Sequence, residues 1–402
     1  MKFKFKNYQL NKNKFILCTI FILFSIMCLC LNSIDVLAET TNNSDVTQQL
    51  SSSINQLLNG LDLSSLEEFV ASLDTFNFFE TNVIDKIKSI LSGEYFTDYA
   101  SIFSSILSLF FITFKDFIPF LFTLLAIGIL SNIIVEFKSN EGTADMVHFV
   151  CFSVMIIIIL YIFKDILSLT SATLASILKQ MQMIFPILIA MLTSIGSFST
   201  ISIYNPLVAV LTTIVSVVFD KLLYPIFIII FIFTILGSLT STVKLDKLQG
   251  FLSSSFKWIV GLVFTLFTGF LSIQGISAGK YDSVSIKATK FAIKSYIPII
   301  GSYISDGMDF LVLGSVLVKN TIGLVGVLIL FISIITPILN MLIVKLGLQL
   351  TAGILEMTDS SKSSNFLSKC SNLLIYPIVL ILGVAFMYVI TISLIMCTAN
   401  IF

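Results

Sequence analysis

The sequence predicts an all-α fold, a polytopic transmembrane helical bundle of about seven to nine membrane segments, and three observations carry that prediction. The chain has 402 residues, of which 56% are hydrophobic and only 11% charged, with a mean hydropathy of +1.03. A soluble domain is about one-quarter charged. Apolar runs of crossing length follow one another from residue 99 onward, where a helix needs roughly 20 residues to cross a bilayer. The formal net charge of zero also hides a partition, with +4 over 1–38, −8 over 39–98 and +4 over the remainder. Three regions follow: a signal segment (1–38), an extracytoplasmic helical region (39–98) and a transmembrane domain (99–402).

Residues 1–38 open with the lysine-rich stretch MKFKFKNYQLNKNK and continue into the apolar run FILCTIFILFSIMCLCL. Val36 and Ala38 then place small or branched residues before Glu39, so a secretory signal peptide cleaved between Ala38 and Glu39 is expected. The competing reading is an uncleaved signal anchor. Both start residue 39 outside the cytoplasm.

Between 39 and 98, Val46, Leu50, Ile54, Leu57, Leu58 and Leu61 keep helical spacing. Leu63, Leu66, Phe69, Val70 and Leu73 repeat it, as do Ile84, Ile87 and Leu91. These are short amphipathic helices. Their polar faces are poor in lysine, which favours docking to protein over binding to anionic lipid.

Strong spans are expected near 117–137, 147–163, 222–243, 255–277, 322–344 and 371–397. Residues 100–114 and 297–318 read as more amphipathic helices. The stretch 184–219 reads as two short spans or one broken element. Lys280, Lys287, Lys290 and Lys294 against Asp282 place 280–295 in the cytoplasm by the positive-inside bias. That requires an odd number of crossings before residue 280 and favours the broken element. Pro119, Pro186, Pro225, Pro298 and Pro377 read as early positions of apolar elements, where a missing N–H costs nothing. Lys115–Asp116, Lys164–Asp165 and Asp220–Lys221 read as span edges. Gly275 and Gly279, a GxxxG pair, and Gly323 with Gly326 read as close-packing positions. Pro298 and Gly301 read as breaks.

Several chemistries are absent from the sequence. The 23 basic residues are all lysine, which removes an arginine voltage sensor and a bidentate arginine clamp on phosphate. There is no GxxxxGK[ST] and no HExxH motif, and His148 is the single histidine. The six cysteines have no metal-ligand spacing and read as apolar fillers. Neither a metal, a cofactor nor a catalytic residue is assigned, and no enzyme is expected.

The polar feature that stands out is KSYIPIIGSYISDGMDFL (294–311). As a helix it sets Ser302, Asp306 and Asp309 on one face. Lys319 and Asn320 lie about three turns on. Upstream, Lys287, Lys290 and Lys294 form the stripe of a second helix. Two readings are open: a polar helix pair lining a wet path or gripping a partner, and an interfacial hairpin with solvated charges.

The run SIKATKFAIKSYIPIIGSYISDGMDFLVLGSVLVKNTIGLVGV (285–327) resembles the signature region of the stage III sporulation protein AE family. The match is specific around Pro298, Gly301, Asp306, Asp309, Lys319, Asn320, Gly323 and Gly326. The chain departs from the family pattern at Gly307, where members often carry Ala, and in having no Arg among 287–290. The resemblance implies a membrane subunit of a transenvelope sporulation channel or feeding complex that supports late forespore development. It implies the mother-cell membrane around the forespore as location. Its implied partners are other membrane and ring-forming subunits, an ATPase subunit and a forespore-side protein, in a lipid bilayer and without nucleic acid. The alternative is a self-sufficient secondary transporter with Asp306 and Asp309 as its substrate or ion site.

Overall fold

The computed structural model describes residues 52–58, 60–61, 63–72, 87–90, 99–136, 141–239, 245–274, 278–296, 301–358 and 360–398. Regular structure among them is helical throughout. The signal segment with Ala38 and Glu39, together with Gly275 and Pro298, falls outside the described residues. We number the longer elements α1 (Ser64–Ser72), α2 (Tyr99–Glu136), α3 (Glu141–Ile195) and α4 (Phe198–Thr213). A π-helical stretch (Ile214–Leu223) leads into α5 (Tyr224–Leu239), followed by α6 (Asp246–Gln274) and α7 (Ala278–Tyr296). The chain closes with α8 (Gly301–Met357), α9 (Ser361–Leu373) and α10 (Ile375–Cys397).

The amphipathic spacing of the N-terminal region produces α1, which buries Leu66, Phe69 and Val70. Its partner is the chain itself. α1 packs on α3, where the Lys179 ammonium stands 5.5 Å from the centre of the Phe69 ring, a cation–π contact.

Among the described residues six helices are long and apolar enough to cross a membrane: Ile106–Ile134, Phe149–Ile195, Phe198–Leu239, Asp246–Phe270, Gly307–Met357 and Ser361–Cys397. That is one fewer than the lower bound expected from the sequence, because segments expected to be separate are fused. Residues 301–318 of the amphipathic stretch and the span 322–344 both belong to α8, which is 57 residues long. At 1.5 Å per residue it measures about 85 Å, well over the roughly 30 Å of hydrocarbon. Gly307 lies inside this helix and does not end it; Gly301 opens it.

Proline placement differs from expectation for the same reason. Pro225 and Pro377 are the second and third residues of α5 and α10, although the apolar helices that contain them begin at Phe198 and Ser361; Pro119 and Pro186 lie inside α2 and α3. Pro206 and Pro337 are also interior. An interior proline costs one backbone hydrogen bond, whereas ending a helix in apolar surroundings leaves several backbone groups unpaired. The helix therefore continues through the proline. The charged pairs are interior too: Lys115–Asp116, Lys164–Asp165 and Asp220–Lys221 fall within the first three apolar helices rather than at their ends.

The expected break within 184–219 is real and short. Gly196 adopts φ +83°, the left-handed conformation that glycine takes without a Cβ penalty. Its N–H bonds Thr193 O at 2.9 Å, and the Ser197 N–H bonds Leu192 O at 3.0 Å. That is a Schellman end to α3, and α4 starts at the next residue. The two halves then fuse to the long helices on either side instead of forming a separate element.

The last two apolar helices form the centre, with 72% of their apolar stretch buried against 22–39% in the other four. α8 packs against α2, α3, α9 and α10. Phe185 meets Tyr388 edge-on at 5.4 Å, and Phe163 stacks on Phe231 at 4.0 Å. α9 is held to α8 by buried serines, Ser364 Oγ donating to Ala352 O at 2.8 Å and Ser371 Oγ to Lys345 O at 2.9 Å. Such hydroxyl-to-carbonyl bonds join helices where apolar surroundings give no hydrophobic drive.

Candidate functional site: a polar helix pair and the seat of the last helix

α7 forms because its inward positions recur at helical spacing. Ile286 is buried, Lys290 and Ile293 follow on the same side, and the helix packs on α4 and α8. The Lys290 ammonium donates to Asp309 Oδ1, joining α7 to the third turn of α8. Lys290 is 13% exposed and Asp309 40%, so the pair sits at the flank of the bundle. Lys287 and Lys294 stay exposed. The lysine stripe thus straddles the edge between the buried and exposed faces of α7. Ser302 and Asp306 occupy the first two turns of α8; their side chains are outside the described ones. Ser305 between them is buried, and its hydroxyl lacks a hydrogen-bond partner.

Lys319 belongs elsewhere. It is fully buried and donates to Met396 O at 3.1 Å and to Thr398 O. Both acceptors are main-chain carbonyls at the end of α10. The last carbonyls of a helix have no intrahelical donor and carry the negative pole of its dipole. A lysine supplies both hydrogen bonds and charge there. One and two turns further along α8, Gly323 and Gly326 continue the same face. A Cβ on Gly323 would stand 2.6 Å from Met396 Sδ, and one on Gly326 would stand 2.9 Å from Ile184 Cδ1. Lys319, Gly323 and Gly326 together form a seat for the end of α10, with α3 closing its side. Asn320 is part-buried beside it, and its Oδ1 has no hydrogen-bond partner.

The residues singled out in the sequence therefore divide. Lys290 and Asp309 meet, Lys287 and Lys294 flank them, and Lys319 serves the α8–α10 joint instead of a shared polar path. Ten residues past Asp309 correspond to about 280° of helix rotation, which turns Lys319 toward the core. Gly279 lies in the first turn of α7, and the surroundings it offers a side chain are outside the described ones.

Two polar features were missed by sequence reasoning. Gln180 Nε2 on α3 donates to Ser333 Oγ on α8 at 2.6 Å in the middle of the bundle. A cavity of about 460 Å³ lies where α2, α3 and α8 meet, lined in part by Thr113, Asp116, Tyr161, Asp165 and Asn340. Asp116 and Asp165 each sit beside a lysine, which made them look like span edges. Among the described residues no group of three His, Cys, Asp or Glu is placed to hold a metal ion.

The family model for stage III sporulation protein AE matches residues 81–399, nearly four-fifths of the chain. The chain belongs to the stage III sporulation protein AE family. One relative, stage III sporulation protein AE of Bacillus subtilis (strain 168), is 24% identical over 262 residues, which are 65% of this chain and 66% of the relative. The chain thus spans just under two thirds of that relative's length. No solved structure matches. Both the polar pair and the seat of α10 lie inside the stretch shared with the stage III sporulation protein AE family. The chain is accordingly a sporulation-family protein with multi-pass membrane character.

Proposed function

We propose that the chain is a non-enzymatic membrane subunit of a transenvelope complex that joins mother cell and forespore. It would sit in the mother-cell membrane around the forespore. Ring-forming and membrane subunits, an ATPase subunit and a forespore-side protein would be its partners. Family membership supports the sporulation stage. The observation that carries the subunit reading is the position of the Lys290–Asp309 pair. It sits on the flank of a centre filled by apolar side chains of α3, α8 and α10, where a partner can reach it. A self-sufficient transporter would instead place its charged site between helices near mid-depth.

Deletion of the gene separates the two readings. A subunit fails only during spore formation, whereas a transporter also shows a vegetative uptake or efflux phenotype. Asp306→Asn with Asp309→Asn is expected to stop sporulation after engulfment while the protein still inserts. Normal spore yield from that double variant would remove the pair from function. The cavity bordered by Asp116 and Asp165 is an observation on the side of transport, and a vegetative phenotype would direct attention to it.

A further inference from the structure

Asp116 on α2 and Asp165 on α3 both fall well inside long apolar helices, Ile106–Ile134 and Phe149–Ile195, yet they border one cavity of about 460 Å³. A carboxylate among lipid tails is costly, and a shared cavity gives both a polar setting. Both are exposed, and among the described residues neither makes a hydrogen bond or an ion pair. Lys115, Lys164 and Lys345 each adjoin a lining residue in the chain, but one residue is about 100° of helix, and none of the three lines the cavity. The cavity therefore carries negative charge that the chain leaves unneutralised. One of its walls is aromatic. Phe120 stacks between Phe117 and Tyr161, with ring centres 6.1 Å apart on each side, and all three rings border the cavity. Carboxylates beside aromatic faces suit a cation that carries apolar groups, since rings attract its charge and pack on its body. A hard metal ion calls for oxygen ligands where this wall stands. The volume also falls within the range of small-molecule sites, about 300–1,000 Å³, far more than a bare ion fills.

We propose that this cavity binds an organic ammonium ion, with Asp116 and Asp165 neutralising its charge and the Phe117–Phe120–Tyr161 wall packing on its apolar groups. Asn340 contributes an amide from α8, so an occupant touches three helices at once. A soluble amine and the ethanolamine headgroup of a membrane lipid present the same chemistry. The inference concerns binding alone and does not depend on the sporulation reading.

Thr113 is a further lining residue, and full-length protein carrying Thr113→Cys places a thiol in the cavity. Mass spectrometry reads its modification separately from that of the chain's own cysteines. After normalisation to free cysteine, the cationic trimethylammonium-ethyl methanethiosulfonate should react at least about ten-fold faster than the anionic sulfonatoethyl reagent. Benzyltrimethylammonium, titrated at constant ionic strength, should protect the thiol. Adding Asp116→Asn and Asp165→Asn should bring the two reagents near parity and raise the half-protecting concentration by about 5- to 25-fold, up to about five-fold per carboxylate. Phe120→Leu should raise it by about three-fold and keep the charge preference, which a misfolded bundle would lose. In phosphatidylglycerol vesicles, added phosphatidylethanolamine protects the thiol where the lipid headgroup is the occupant. Protection by benzyltrimethylammonium alone identifies a soluble ion, and both results support the proposal. Equal rates for the two reagents in the protein with both acids overturn it. So does protection by magnesium at the concentrations at which benzyltrimethylammonium protects, or a thiol that neither reagent reaches.

Discussion

Lys319 gives the sharpest test of how this bundle is held together. Its ammonium is fully buried and donates to Met396 O and Thr398 O. Burying a cation costs several kcal/mol. The two charge-assisted bonds return about 1.5–3 kcal/mol each, and a cation at a partly buried helix C-terminus adds up to about 2 kcal/mol. The gains and the cost are of the same order. Lys319→Met keeps most of the volume and removes gain and cost together, but it leaves the two carbonyls without their donor, so it is expected to destabilise by about 1–3 kcal/mol. Lys319→Ala also leaves a void and should lose about 2 kcal/mol more. Thermal unfolding in detergent, read as loss of monodisperse protein, should rank wild type above Met above Ala. Hydrogen exchange should rise first over the last turns of α10. A Met variant as stable as wild type, or more so, would refute the capping role. It would show the buried cation to be a burden kept for some other purpose.

Other outcomes follow from the same packing and charges. Gly323→Leu or Gly326→Leu must displace Met396 or Ile184, overpacking that costs about 1–3 kcal/mol and should lower the yield of folded protein; a normal yield and midpoint would mean that α10 does not seat there. A double-mutant cycle on Lys290→Ala and Asp309→Ala should give a coupling below about 1 kcal/mol, since Asp309 is 40% exposed and solvent screens the pair. That coupling should shrink in high salt, and a salt-insensitive value would place the pair away from water. A reporter fused at residue 285 is expected in the cytoplasm because of its four neighbouring lysines. Among the described residues four long apolar helices precede it, so if residue 39 lies outside, as the signal segment predicts, an odd number of them cross. An external reporter would mean that an even number cross.

Much of this architecture was legible in the chain. The apolar runs foretold the helices, and the spacing of Leu66, Phe69 and Val70 foretold the buried stripe of α1. The positive-inside bias of 280–295 favoured a break inside 184–219, without placing it at Gly196. Helix continuity was not legible. Pro119 and Pro186 look like helix starts in a linear reading, because local propensity disfavours proline in helix interiors. Their penalty is small beside that of unpaired backbone in apolar surroundings, and that comparison requires knowing what surrounds each residue. The charged pairs at 115–116 and 164–165 misled for a related reason. A charge reads as a span edge until a cavity is seen beside it.

By itself the sequence determined that this is a helical membrane protein, because an apolar chain of this composition can satisfy its backbone in lipid only through helices or a closed barrel and its spacing is helical. It also singled out 285–327 as the stretch to watch. Tertiary structure decided what those residues do. Lys290 reaches Asp309 because α7 folds back on α8, and Lys319 reaches carbonyls 77 and 79 residues away because α10 ends against its face. Helical periodicity sets the direction of a side chain from its own axis. Which partner waits in that direction depends on how separate helices pack, and no local pattern encodes it.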